Sequence, residues 1–207
     1  QDRRPIIYHD IIAKALVKHL RLQAAWQEAQ LKTVCPRTII FLDEPHLSTL
    51  GSPFVSISPE QVTGFIEEVL AGIEGIKGIH CCGNTDWPLV LGTSIDVLSF
   101  DAYEYAQSLS LYPQEVKAFL DRGGAIAWGI VPNNDEVLAK ETTASLKDRL
   151  EETMALTSQK GIPFHQLVSQ GMVTPSCGLA SMSPEAAVRA LEVTMELSGM
   201  MRRRYGS

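Results

Sequence analysis

Short apolar runs rich in β-branched residues alternate with helix-forming segments five times along this chain. Each run is too short for a typical helix, as expected of a buried parallel strand. Strict alternation predicts a parallel sheet, because successive parallel strands need a crossover connection, which is usually a helix. The predicted strands are residues 37–45, 75–83, 95–102, 124–131 and 171–178.

Helix signals fill the segments between these strands. Residues 6–32 carry apolar side chains at helical spacing with no Gly or Pro, which predicts one long amphipathic helix. Ser58-Pro59-Glu60 and Ser183-Pro184-Glu185 each supply an N-cap, a proline at the first helical position and an early acid. The further predicted helices are residues 59–71, 87–91, 113–121, 143–160 and 184–201. No linker divides these units, so we expect residues 1–207 to form a single domain.

Composition limits the class of protein. Of the 207 residues, 45% are hydrophobic and 20% are charged, which excludes a disordered chain. The net charge of −6 argues against non-specific binding to nucleic acid or to an anionic membrane. No apolar stretch spans a membrane or forms a signal peptide, so we expect a cytoplasmic protein. The 4 cysteines are too few for a disulfide framework, which favours reduced thiols or metal ligands.

Polar residues at the ends of the predicted strands are the candidate functional residues. In α/β proteins with parallel sheets, the active site lies beyond the carboxyl ends of the strands. Those ends carry two thiols, an imidazole and several carboxylates, namely Asp43, Glu44, His80, Cys82, Asp101 and Cys177. The Val131-Pro132-Asn133 segment, at the end of the fourth predicted strand, belongs to the same set. His46 follows the first strand end closely and is a further candidate for a substrate contact.

His80 and Cys82 form the most specific pair. Their i, i+2 spacing puts both side chains on one face of a strand, while Cys81 points to the opposite face and is expected in the core. With Cys177 and one carboxylate, they would supply the N, S and O ligands that suit tetrahedral zinc, at about 2.0 to 2.3 Å. On spacing alone, a metal site and ordinary buried cysteines both remain open.

Taken together, the strand ends resemble the zinc methyltransferase superfamily. This superfamily includes cobalamin-independent methionine synthase, the methylcobamide:coenzyme M methyltransferases and uroporphyrinogen decarboxylase. The matching segments are LDEP at 42–45, IHCCGNT at 79–85, DVLSFDA at 96–102 and VTPSCGL at 173–179, in the family's order. The joint occurrence of these motifs is far more specific than any one of them.

The resemblance implies a role for each strand-end residue. It makes His80, Cys82 and Cys177 zinc ligands, with Asp101 as the fourth ligand and Glu104 as the second choice. The remaining expected roles are binding of the homocysteine amino group by Asp43, further substrate contacts from Glu44 and His46, and catalytic roles for Asp43 and Asp101.

The resemblance also implies an architecture. Residues 1–207 would be the C-terminal five βα units of a TIM (β/α)8 barrel of the methionine synthase/uroporphyrinogen decarboxylase type, with the first three strands apparently absent. Such a sheet has two unpaired edges and an uncovered interior. We therefore expect a second copy, a partner chain or a missing N-terminal half to complete the barrel.

The expected activity is zinc-dependent methyl transfer to the thiolate of homocysteine, which gives methionine. The donor is a methylcorrinoid, as methylcobalamin or on a corrinoid protein, or methyltetrahydrofolate. The folate-dependent enzymes carry a His after the strand at 124–131, and VPNNDEV at 131–137 has none, which favours the corrinoid. The alternatives are a methylcorrinoid:coenzyme M-like thiol methyltransferase and an inactive zinc-binding half-barrel module. A porphyrinogen decarboxylase is disfavoured, because that branch needs no zinc whereas this chain retains the residues that the resemblance makes zinc ligands.

Overall fold

A computed structural model gives the fold of residues 5–50 and 57–206. The strands of this part of the chain are β1 (Ile39–Asp43), β2 (Ile76–Cys81), β3 (Val97–Phe100), β4 (Ala125–Val131) and β5 (Gly171–Pro175). They form one sheet in the order β1-β2-β3-β4-β5, and every neighbouring pair is parallel. This confirms the predicted α/β class and the predicted parallel sheet.

Helices precede, connect and follow the strands. They are α1 (Asp10–Lys32), α2 (Pro59–Leu70), α3 (Trp87–Leu91), α4 (Ala102–Leu109), α5 (Pro113–Asp121), α6 (Asp135–Leu138), α7 (Thr143–Ser158), α8 (Phe164–Ser169) and α9 (Pro184–Tyr205). Two 3₁₀ turns, Ile6–Tyr8 and Pro45–Thr49, lie before α1 and after β1. Among the described helices, none combines the length and apolar character needed to cross a membrane.

The helix starts follow the predicted capping chemistry. The Ser58 hydroxyl accepts a hydrogen bond from the backbone N–H of Gln61, and the Ser183 hydroxyl accepts one from Ala186. The predicted first helix is interrupted at His9, whose backbone is extended, so that α1 begins at Asp10. An acid at that point is favourable, because the first turn of a helix has a partial positive charge.

The short helices α4, α6 and α8 were not predicted. Each has 4 to 8 residues, too few for apolar periodicity to stand out from a loop. Two of them are fixed by side-chain caps instead, since Asp101 accepts a hydrogen bond from Glu104 N and Asn134 accepts one from Val137 N. These caps lie directly after β3 and β4, where the candidate site residues cluster.

Strand order decides which faces of the sheet are covered. Right-handed connections between consecutive neighbouring strands put all the crossover helices on one face, whereas a doubly wound sheet reverses its strand order and is covered on both. The observed order is therefore compatible with part of a TIM-barrel-like fold. The face away from the helices is the one that would become a barrel interior.

Burial along the strands agrees with this assignment. Ile40, Ile79 and Leu98 point toward the helices and belong to one continuous apolar core. On the opposite face, Ile39 and Phe41 remain 42% and 41% exposed. The centre of the core is an aromatic group in which Phe100 packs edge-on against Trp87 and Trp128, with ring centroids 5.4 and 5.6 Å apart.

A buried carboxylate ties the amino end of the sheet to α1. Glu28 accepts hydrogen bonds from the Thr38 hydroxyl and from the backbone N–H groups of Glu74 and Gly75, at 2.9, 2.8 and 2.6 Å. Lys32 adds an ion pair at 3.3 Å. Burial alone would raise the pKa of Glu28, but these partners lower it to about 2. The group is therefore a fully partnered structural anion.

Candidate metal centre

Three donors from distant parts of the sequence meet beyond the carboxyl ends of β2 and β5. His80 lies in β2, Cys82 follows its last residue, and Cys177 follows β5. One ligand atom from each lies within 4.8 Å of the other two, and all three side chains are half-buried. Among the described residues, this group could hold a metal ion, as the sequence predicts for these three positions.

The meeting of these donors bridges strands that are not neighbours in the sheet. β2 and β5 are separated by β3 and β4. In a flat sheet their axes would be about 14 Å apart, given a spacing of about 4.8 Å between strands. The donor atoms nevertheless lie within 4.8 Å of one another, because the side chains reach out from β2 and Cys177 lies in the loop beyond β5. Cys81 lies on the other face and is fully buried in the core, as predicted from the alternation.

The His80 ring is held by one nitrogen, and the other nitrogen is open. Nδ1 lies 2.9 Å from the hydroxyl oxygen of Ser99, the residue paired with His80 across β2 and β3. Nε2 is buried and has no hydrogen-bond partner within the described part of the chain. Since buried polar atoms are normally partnered, this nitrogen is a candidate metal-binding atom.

Burial controls the protonation of the donors. Burial lowers the pKa of His80, and the opposing effect of the Asp43 charge does not reverse the shift. The imidazole is therefore neutral at neutral pH, which is the form that binds metals. Burial and the neighbouring Cys177 thiol raise the pKa of Cys82. The Cys82 thiol is therefore stabilised in its protonated form unless a cation supplies compensating charge.

A hydrogen-bonded loop presents Cys177. The backbone N–H of Ser176 donates to the Val131 carbonyl at 2.8 Å, which extends the β4–β5 pairing beyond β5. The Ser176 hydroxyl donates to Asn133 Oδ1 at 3.1 Å, and Asn133 Nδ2 donates to the Gly178 carbonyl at 3.4 Å. Asn133 thus contacts the residues on both sides of Cys177.

Asp43 lies beside this cluster at the end of β1. Its Cα is paired with that of His80, and its side chain is exposed at the open mouth. The backbone N–H of Glu44 donates to the His80 carbonyl at 2.9 Å, so the β1–β2 pairing continues past Asp43. The carboxylate of Asp43 is therefore available to a ligand that approaches the cluster.

Glu44 and His46 line a separate cavity. This space of about 610 Å³ is bounded by α1, α2 and the end of β1, and the described residues around it are mainly apolar. Burial raises the pKa of Glu44, with the charge of His46 acting in the opposite direction. No member of the metal cluster is among the described residues that line this cavity. The substrate contacts expected from Glu44 and His46 stay predictions.

Asp101 and Glu104 do not belong to the cluster of donor atoms. Asp101 Oδ1 accepts the backbone N–H of Glu104 at 2.9 Å, which caps α4. Burial raises the pKa of Asp101. Glu104 is exposed one turn into the helix. The role of either carboxylate as a fourth ligand stays a prediction.

Two supporting residues of the cluster were not singled out as site residues from the sequence. Ser99 is a polar residue in an otherwise apolar strand, and it lies an even number of positions before Asp101, on the same strand face. A polar residue at this position is the sequence signal from which Ser99 could have been predicted as a site residue. Asn133 lies in the Val131-Pro132-Asn133 segment, which the sequence places at a strand end without assigning it a role, and its contacts depend on where β5 ends.

Comparison with protein families and with curated proteins does not identify a family for this chain. No protein-family model matches the chain, and no curated protein matches it. The class is therefore defined by fold and site alone: an α/β protein with a parallel sheet and a three-residue group at its carboxyl edge that could hold a metal ion.

Proposed function

We propose that this chain is a zinc-dependent S-methyltransferase of the methionine synthase type, which transfers a methyl group to the thiolate of homocysteine. The observation that carries the proposal is the convergence of His80, Cys82 and Cys177, with the His80 Nε2 open and buried among them. The order of the motifs in the zinc methyltransferase superfamily supports the same function. We assign the sheet to the barrel type of that superfamily.

The chemistry of the donors favours zinc over other metals. One imidazole nitrogen and two thiolate sulfurs form the type of ligand set that tetrahedral zinc accepts, whereas magnesium and calcium prefer oxygen ligands. Three protein donors leave a fourth position, which is typical of catalytic rather than structural zinc sites. When bound there, zinc would lower the pKa of a coordinated substrate thiol, so that its sulfur is a thiolate at neutral pH.

The residues around the cluster have separate tasks in the proposed reaction. Asp43 holds the ammonium group of homocysteine through a charge-assisted hydrogen bond. The substrate sulfur forms a bond to the methyl carbon as the bond from that carbon to the donor breaks, and the electron pair of the broken bond stays with the donor. A methylcorrinoid donor needs no acid for this step, which agrees with the absence of a histidine at 131–137.

Charge favours homocysteine over coenzyme M as the acceptor. Asp43 attracts an ammonium group but repels the sulfonate of coenzyme M. Replacing Asp43 with Asn should therefore weaken homocysteine binding by about tenfold, which corresponds to about 1.4 kcal/mol, without weakening coenzyme M binding. Competition binding with both thiols, in the zinc-loaded protein, measures this difference.

Zinc content and proton release test the proposal directly. We expect about one zinc ion per wild-type chain by elemental analysis, much less in Cys177→Ala, and an unchanged amount in Cys35→Ala, because Cys35 is exposed and remote in sequence from the cluster. Homocysteine should then release a proton when it binds to the zinc-loaded wild type, since its thiol becomes a thiolate.

Each unexpected result of these zinc and proton-release measurements leads to a different conclusion. A folded wild-type chain that binds no zinc contradicts the proposal. Zinc binding without proton release from any thiol favours the inactive zinc-binding module. Proton release with coenzyme M but not with homocysteine favours the corrinoid-dependent enzyme for another thiol.

A further inference from the structure

A buried hydroxyl lies directly behind the proposed metal ligand. Ser99 is 9% exposed in β3, between Leu98 and Phe100, which are fully buried. A hydroxyl in such a place is unfavourable unless it is hydrogen-bonded. The hydrogen bond it makes is to Nδ1 of His80, at 2.9 Å. The pairing of the two residues across β2 and β3 makes this contact a direct consequence of strand register.

The direction of this hydrogen bond decides which nitrogen can bind a metal. If Nδ1 carries the proton, Nδ1–H donates to the Ser99 oxygen and Nε2 presents a lone pair. If the hydroxyl donates to Nδ1 instead, the proton is on Nε2. That proton would be buried with no acceptor within the described part of the chain, which is the less favourable arrangement.

We propose that Ser99 is the positioning residue of the metal centre: it accepts the Nδ1–H of His80 and so fixes the tautomer that presents Nε2 to the ion. This inference rests on the proposed function, because it assigns Nε2 as the metal-binding atom. Ser99 touches neither metal nor substrate in this role, and it acts through the orientation and protonation of His80. The Asp43 side chain is exposed at the mouth, while the hydroxyl of Ser99 is within hydrogen-bond distance of Nδ1.

The first measurement is the tautomer of His80 in the metal-free protein. Long-range ¹H–¹⁵N correlation spectra distinguish a proton on Nδ1 from a proton on Nε2. We expect Nδ1–H in wild type and in Ser99→Thr, which keeps the hydroxyl, and a mixture shifted toward Nε2–H in Ser99→Ala. Ser110→Ala is the matched control, because Ser110 is also 9% exposed but bonds the Gln107 carbonyl.

The second measurement is metal affinity, obtained by competition with a chromophoric chelator. Removing a residue that orients a metal-binding histidine typically lowers affinity by about 10- to 100-fold. We expect that loss for zinc in Ser99→Ala, recovery to within a few-fold of wild type in Ser99→Thr, and no loss in Ser110→Ala. The absorption spectrum of the cobalt-substituted protein should change in Ser99→Ala alone.

The two measurements separate this inference from the proposed function. Wild-type protein with the proton on Nε2, or a folded Ser99→Ala that binds zinc as tightly as wild type, overturns the role of Ser99. A wild-type chain that binds no zinc overturns the proposed function. In that case the metal-free spectra of wild type and Ser99→Ala still test the role of Ser99, and a proton on Nε2 in wild type overturns that role without any variant.

Discussion

Two ionisable groups at opposite ends of the sheet differ in their partners. Glu28 is buried at the amino ends of β1 and β2, and His80 is half-buried at the carboxyl end of β2. The Glu28 carboxylate accepts three hydrogen bonds and forms an ion pair with Lys32. The Nε2 of His80 has no partner within the described residues, and two thiols lie close to it. A fully partnered buried group stabilises the fold, whereas one left open is a candidate binding atom.

The largest expected difference is between the two adjacent cysteines at the end of β2. Cys82→Ala should lower zinc affinity by more than about 100-fold, since loss of a direct ligand exceeds the loss of a residue that only orients one. Its stability without metal should change little. Cys81→Ala should retain zinc but lose about 1 kcal/mol of unfolding free energy, because it leaves a small cavity in the core.

Chelator competition and urea unfolding of the metal-free proteins measure these two effects separately. The comparison fails if Cys81→Ala loses zinc as severely as Cys82→Ala does. That result would mean that the strand face does not decide which thiol binds the metal.

At the opposite end of the sheet, Glu28→Gln should lower the free energy of unfolding by about 2 to 3 kcal/mol. The amide has only one acceptor oxygen, so its NH₂ group would face a backbone N–H of Glu74 or Gly75. Glu74→Gln is the matched control, because its side chain is 85% exposed and its ion pair with Lys32 is worth little. Urea unfolding at neutral pH gives both values, and zinc binding should be unchanged in both variants.

The same carboxylate predicts a pH dependence. The pKa of Glu28 is about 2 in the folded protein, below its ordinary value of 4.5. Its contribution to stability is therefore present above pH 4.5 and is lost as the pH falls from 4.5 toward 2. Glu28→Gln should lack this part of the acid-induced loss. An identical pH profile for the variant and the wild type would show that the network does not stabilise the charged form.

The smallest expected effect concerns two neighbouring asparagines after β4. Asn133→Ala removes the contacts to Ser176 and Gly178 on either side of Cys177, and zinc affinity should fall by about tenfold. Asn134→Ala removes the cap of α6 and should cost about 1 kcal/mol of stability with no effect on zinc. Equal zinc affinities in the two variants would contradict the role assigned to Asn133.

Prediction from sequence succeeded where a local pattern is sufficient. The period-2 alternation from His80 to Cys82 predicted which two of the three side chains share a face, and the structure has Cys81 in the core as expected. The capping signals at Ser58 and Ser183 predicted where α2 and α9 begin. Each of these depends on residues a few positions apart, which constrain one another through backbone geometry alone.

Prediction was weaker where contacts join different elements. Glu44 and His46 line a cavity on the other side of β1 from His80, whereas Asp43 is paired with His80, and closeness in sequence does not reveal that division. The substrate contacts expected from these residues stay predictions. The extended backbone at the end of β1 sends consecutive side chains to opposite faces, and that separation depends on where the strand ends and the 3₁₀ turn begins.

The sequence by itself determined the alternation of strands and helices, the opposite faces of His80 and Cys81 in β2, and the residue types at the carboxyl edge of the sheet. Only the tertiary structure decided that Cys177 reaches His80 and Cys82, and that Ser99 lies behind the imidazole. The physical reason is that periodicity and capping act over a few residues. Register between strands and the positions of the loops beyond them arise only when the whole core packs, and they set distances between residues far apart in the chain.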